Sequence, residues 1–105
     1  MAWLYLFLAG LFEIGWPLGL KWAQEEQTRW IGTAMAVVCM TVSGGLLWLA
    51  QRDIPIGTSY AVWTGIGAAG TFALGVWLYD DPLSLGRLLG VGLIVAGVVL
   101  LKVSS

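Results

Sequence analysis

Glu13 sits inside the apolar run LFLAGLFEIGWPLGL (6–20) and is the only acidic or basic side chain well inside any such run of this 105-residue chain. A charge at membrane depth costs about 2.5–3.5 kcal/mol on insertion scales, so such a residue marks a functional site by default. The group is neutralised by a proton or paired with a cation. A carboxylate that alternates between the two exchanges one for the other and needs no catalytic partner. The competing reading is a structural carboxylate kept protonated. Ala9, Gly10, Trp16 and Pro17 share its helical face at i±3 and i±4. Gly10 leaves space beside the carboxylate, and Trp16 offers an aromatic wall with an indole N–H donor. Pro17 has no N–H, so the Glu13 carbonyl loses its usual partner. Either this is an ordinary membrane-helix proline, or it sets a kink that frees a carbonyl at the site.

A second set of polar groups lies in YAVWTGIGAAG (60–70). Tyr60 and Trp63 are three apart and share a face, flanked by Ser59 and Thr64. Aromatic faces attract cations and a tyrosine hydroxyl can bond a carboxylate; plain aromatic packing is the alternative. Gly65, Gly67 and Gly70 permit a helix bend or a close approach. Ser43, followed by Gly44 and Gly45, either orients a carboxylate or bonds its own helix backbone.

The elements that must position these groups are four apolar segments, at about 2–20, 30–50, 55–79 and 84–101, within one domain spanning 1–105. Each is roughly 17–24 residues, enough at about 1.5 Å per residue to cross a hydrocarbon core of about 30 Å. The expected fold class is an all-α membrane protein with four transmembrane helices. Strands are a poor reading, because the runs lack two-residue alternation. KWAQEEQTR (21–29) and QRD (51–53) read as loops, with Pro55 in the first turn of the third helix. Asp81 and Pro82 read as N-cap and first residue of the fourth. Trp3, Trp22, Trp30, Trp48 and Trp77 fall near span ends, as an interfacial belt requires. The N-terminal segment lacks the positive region and cleavage site of a signal peptide and reads as a retained span.

Hydrophobic residues make up 59% of the chain and charged residues 10%, against about 25% in soluble domains. Net charge is −1, which excludes a nucleic-acid surface. With no histidine and one cysteine, Cys39, there is no Cys/His metal site, internal disulfide or His-based triad. No nucleophile–base pair points to an enzyme, and no cofactor is expected.

Orientation is nearly undetermined. Arg52 and Lys102 lie on one side, and Lys21, Arg29 and Arg87 on the other. Weak bias in a small protein is one account; insertion in both directions with antiparallel pairing is the other. Four short helices are too few to enclose a polar pathway, which also argues for a dimer. In an antiparallel pair, two copies of Glu13 face one cavity and titrate together. Gly86, Gly90 and Gly97 form a small-residue stripe on the fourth span, read as a dimer seam, and Arg87 can snorkel to the interface.

AGLFEIGW (9–16), GLK (19–21), PIGTSYAVWTGIGA (55–68) and GLIVAGVVLLK (92–102) together resemble the small multidrug resistance family, and within it the guanidinium-exporter branch. The likeness covers essentially the whole chain; the glutamate, Trp16 and YAVWTGIG in order are its specific part. It implies an antiparallel, dual-topology homodimer in the inner (plasma) membrane that exchanges protons for a guanidinium-type cation. Glu13 then binds both in competition. Gly10, Trp16, Ser43, Tyr60 and Trp63 match positions lining that site, and Gly65 and Gly67 a helix bend. Trp16 is discriminating, since multidrug members usually carry a small residue there. Pro17 in place of alanine, Trp22 in place of a common tyrosine, a 21–29 loop one residue longer and the Gly44–Gly45 pair depart from the pattern. They would widen the portal for substituted guanidiniums such as guanylurea or biguanides. The alternatives are export of quaternary ammonium and lipophilic cations, or a non-transporting membrane subunit.

Overall fold

The computed structural model describes residues 1–105 and is all-helical. Its helices are α1 (Ala2–Ala23), α2 (Arg29–Ala50), α3 (Ile56–Tyr79) and α4 (Leu85–Val103). All four are long and apolar enough to cross a membrane. They alternate in direction, so both termini and the 51–55 turn share one end.

The boundaries differ from expectation at three places. First, α1 runs past Leu20 to Ala23, and Glu26–Thr28 form a 3-10 turn, so the 21–29 loop is largely helical. Lys21 sits in the last turn of α1, where a cation offsets the carbonyl end. Second, Pro55 caps α3 from just outside, and Ile56 is the first helical residue. Third, Asp81 and Pro82 do not start α4. Asp80 closes α3 in a left-handed conformation, φ 53°, and the Asp81 N–H donates to the Gly75 carbonyl at 3.1 Å. Both aspartates are therefore spent on ending α3. Ser84 caps α4 instead, its hydroxyl accepting from the Arg87 N–H at 3.2 Å.

Lipid tails are as apolar as leucine, so helices here associate through close packing rather than through the hydrophobic effect. Small residues make that packing possible. α1 and α2 meet backbone to backbone at Gly19 and Gly32. A Cβ on Gly19 would lie 2.6 Å from the Gly32 carbonyl oxygen, and one on Gly32 would lie 2.5 Å from that of Gly19. Gly15 receives the Cys39 thiol in the same seam. On its other side α1 meets α3 by side chains entering glycine notches: Ile66 at Gly10, Glu13 at Gly67 and Ile14 at Gly70. α4 lies against α3, where Val98 fills the notch at Gly65.

The result is a slab of 44 × 35 × 16 Å with α1 and α3 inside and α2 and α4 at the edges. A helix with its side chains is about 10–12 Å across, so the slab is little more than one layer thick. α4 contributes no buried residue. A small core of Leu6, Ala50, Ile54 and Val62 closes the end that holds the termini. Cation–aromatic pairs mark both ends: Lys102 over Trp3 (4.8 Å) and Arg52 over Trp48 (5.9 Å) at one, Lys21 over Tyr79 (5.4 Å) at the other.

Gly32→Ala should therefore lower the stability of the protein in detergent by about 1–3 kcal/mol, the usual overpacking penalty, because the obstructing atoms are backbone. Gly57→Ala, where a Cβ meets open space, should leave stability unchanged or slightly raised. Equal thermal unfolding midpoints for the two variants would contradict the backbone seam.

Candidate functional site

The middle of α1 places Glu13 against α3. The Trp16 indole, one turn on, donates its Nε1–H to Glu13 Oε1 at 2.5 Å. The i, i+3 spacing alone brings the two together. The other oxygen, Oε2, is buried and has no hydrogen-bond partner. A native structure rarely leaves a buried acceptor unsatisfied, and a carboxylate oxygen least of all. Gly67 explains how the side chain fits: its missing Cβ is the space that the Glu13 Cγ occupies. Beyond the carboxylate lies an open groove of about 270 Å³, shared with Pro17, Thr64, Ala68 and Thr71.

Ser43 takes neither of its two expected roles. Its hydroxyl donates across the helix pair to the Ala9 carbonyl at 2.7 Å and accepts the Trp63 Nε1–H at 2.8 Å. It is fully buried and bonds neither Glu13 nor its own helix. What it builds is a bridge from α3 through α2 to α1, fixed to the carbonyl four residues before Glu13. Trp63 in turn packs against Tyr60, ring centroids 5.5 Å apart at 55°. Tyr60 is 57% exposed, and its hydroxyl does not reach Glu13 within the chain, since one carboxylate oxygen holds Trp16 and the other holds nothing.

The structure thus joins the expected residues into two linked groups. Glu13 and Trp16 form one, and Ser43, Trp63 and Tyr60 the other, joined through α1. Gly10 stands apart: the space beside it is filled by Ile66, with Cγ2 2.6 Å from where a Cβ would lie, and it does not line the groove. Gly65 and Gly67 lie in an unbroken α3 and serve close approach, to Val98 and Glu13. Pro17 is accommodated inside α1, which continues past it. Gly90 and Gly97 face open space, as do Gly44 and Gly45.

Sequence reasoning missed Thr71. It stands four residues after Gly67 and seven after Thr64, so helical spacing from those two positions carried the signal.

Residues 1–94 match the sequence model of a family described as Small Multidrug Resistance protein. The chain is 46% identical over its full length to a protein of Yersinia pseudotuberculosis serotype I (strain IP32953) named guanidinium exporter, all of which it covers. It is similarly 45% identical to a guanidinium exporter of Citrobacter freundii, covering 99% of that protein. With one from Proteus vulgaris it shares 42% identity over the whole of both chains.

If the Ser43 bridge ties the helices together, Ser43→Ala should strand the Trp63 N–H and cost about 0.5–2 kcal/mol, the span of measured intramembrane hydrogen bonds. In a Trp63→Phe background the same change should cost measurably less. Additive effects in this double-mutant cycle, read by thermal unfolding, would remove the bond from the account.

Proposed function

Because the chain belongs to the small multidrug resistance family, we propose that it is a proton-coupled antiporter exporting guanidinium, with substituted guanidiniums as further substrates. The observation that carries this reading is the Glu13 carboxylate, with one oxygen held by Trp16 and the other buried, unpaired and beside an open groove. An acceptor in that state is relieved by a proton or by a ligand that brings its own donors. It cannot serve both at once, and that exclusion couples the two fluxes.

Guanidinium suits the site on three counts. It is planar, carries its N–H groups as a fork, and pairs with carboxylates through charge-assisted bonds. A tetraalkylammonium ion offers no donor and would leave Oε2 unpaired, which a site built around a hydrogen bond penalises heavily. Trp16 holds the other carboxylate oxygen, so only Oε2 is left for the cation. The naming of the full-length relatives as guanidinium exporters supports the same substrate.

The working unit in this reading is an antiparallel homodimer in the inner membrane. The near-even charge count of the two sides, the thin slab and the unpartnered α4 all favour a second copy. The Gly90–Gly97 stripe is its seam, and the second chain brings the Glu13 groove a facing wall with its own carboxylate. Tyr60, exposed in one chain, then has a surface to meet. At Gly44 and Gly45 a Cβ would meet no atom within 4 Å, which leaves room for the substituent of a guanylurea or biguanide.

Proton-driven currents in proteoliposomes test this. Wild type should carry guanidinium and guanylurea, reject tetraethylammonium, and lose all current in Glu13→Gln. Trp16→Gly should lower guanidinium current at least tenfold and admit larger cations. A tetraethylammonium current without a guanidinium current would move the protein to the multidrug branch. No current for any cation from a folded dimer would leave a non-transporting subunit.

A further inference from the structure

The open groove beside Glu13 does not end at Thr71. Pro17 and Thr71 also line a second cavity of about 180 Å³, at the end of the slab where α1 and α3 both terminate, together with Lys21, Tyr79 and Asp81. The two cavities are therefore neighbours along the α1–α3 seam, sharing Pro17 and Thr71, one at the buried carboxylate and one at the end of the helices.

Thr71 is distinctive among the threonines of the helices. Past the first turn of each helix, Thr33, Thr41 and Thr64 return their hydroxyls to the carbonyl four residues back, at 2.8 Å in each case. That is the default for a hydroxyl in an apolar setting. Thr71 forgoes the bond, although the carbonyl in question is that of Gly67, on which the Glu13 side chain rests. Thr71 makes no side-chain hydrogen bond and lines both cavities. The acceptors along this seam include Glu13 Oε2 without a partner, the Thr71 hydroxyl, and the Asp81 carboxylate at the mouth, where Lys21 and Tyr79 also line the cavity. Asp81 lies folded over Gly75, whose missing Cβ makes the room, while Lys21 keeps its ammonium over the Tyr79 ring. The carbonyl ends of α1 and α3 add partial negative charge at the same place.

We propose that the α1–α3 seam is the route by which a guanidinium-type cation passes between water and Glu13, with Asp81 collecting it at the mouth and Thr71 accepting its N–H groups midway. This inference rests on the transport reading above. A forked cation desolvates in stages: it exchanges water for a carboxylate, then for a hydroxyl with free lone pairs, then for Oε2. Pro17 lines both cavities from the α1 wall, and its missing N–H leaves the Glu13 carbonyl without its usual donor.

The test uses the full chain in proteoliposomes and in detergent, with guanidinium as probe. Thr71→Val keeps the shape and removes the hydroxyl. It should lower the maximal guanidinium flux about tenfold while leaving equilibrium affinity within about threefold of wild type, and Thr71→Ser should restore the flux. Asp81→Asn should lower flux several-fold at low ionic strength, with the deficit fading as salt screens the mouth. Flux in Thr71→Val equal to wild type overturns the route. So does a loss of affinity as complete as that of Glu13→Gln, which would place Thr71 in the binding site itself, and so does failure of Thr71→Ser to rescue. These outcomes leave the transport reading intact as long as wild type moves guanidinium. Absence of flux in wild type removes both together.

Discussion

Glu13 Oε2 is buried with no hydrogen bond, while its sister oxygen is held by Trp16. An unpaired acceptor in a low-dielectric setting costs about 1–3 kcal/mol, and more when charged. The surrounding residues do not relieve that cost. They hold the carboxylate in place to bear it. Gly67 yields the volume for its methylene carbons, Trp16 orients one oxygen, and the Ser43 bridge fixes the carbonyl one turn earlier. The rest of the small fold follows from keeping one acceptor both enclosed and unanswered.

Enclosure falls to the glycines. In lipid the helices gain little from hiding apolar surface, and they hold together where atoms approach closely. Gly19 and Gly32 allow α1 and α2 to touch through backbone, and Gly10, Gly65, Gly67 and Gly70 each admit a neighbouring side chain. Gly86, Gly90, Gly92 and Gly97, all on α4, admit none within the chain. The contrast separates glycines already used in folding the chain from those still offered to something outside it.

Much of this was legible from residue order. The four spans, the isolation of Glu13 and its proximity to Trp16 all follow from hydropathy and from helical spacing, which are local properties. Three features were not. Asp81 and Pro82 carry the signature of a helix start, yet Asp80 adopts a left-handed turn and Asp81 bonds back to Gly75, so the cap passes to Ser84. Ser43 has several permissible partners, and only the crossing of α1 and α2 selects the Ala9 carbonyl. Gly10 looks like space beside a carboxylate and proves to be space for Ile66. In each case the deciding contact spans two helices, or the end of one, and spacing along a single helix does not encode it.

The two seams of α1 differ in mechanical kind. Where α1 meets α2 at Gly19 and Gly32, the opposing surfaces are main chain against main chain, with no rotatable bond between them. Such a joint has a single seating and behaves as a weld. Where α1 meets α3, the side chains of Ile66, Glu13 and Ile14 rest in glycine notches, with rotatable bonds between the two main chains. That joint behaves as a bearing. The Trp63–Ser43 hydrogen bond also ties α3 to the α1–α2 pair, so beside its notches the second joint is pinned by a side-chain bond. The Glu13 carboxylate belongs to α1 and reaches into that second joint, with its methylene carbons in the Gly67 notch, so side chains rather than main chain form its surroundings there.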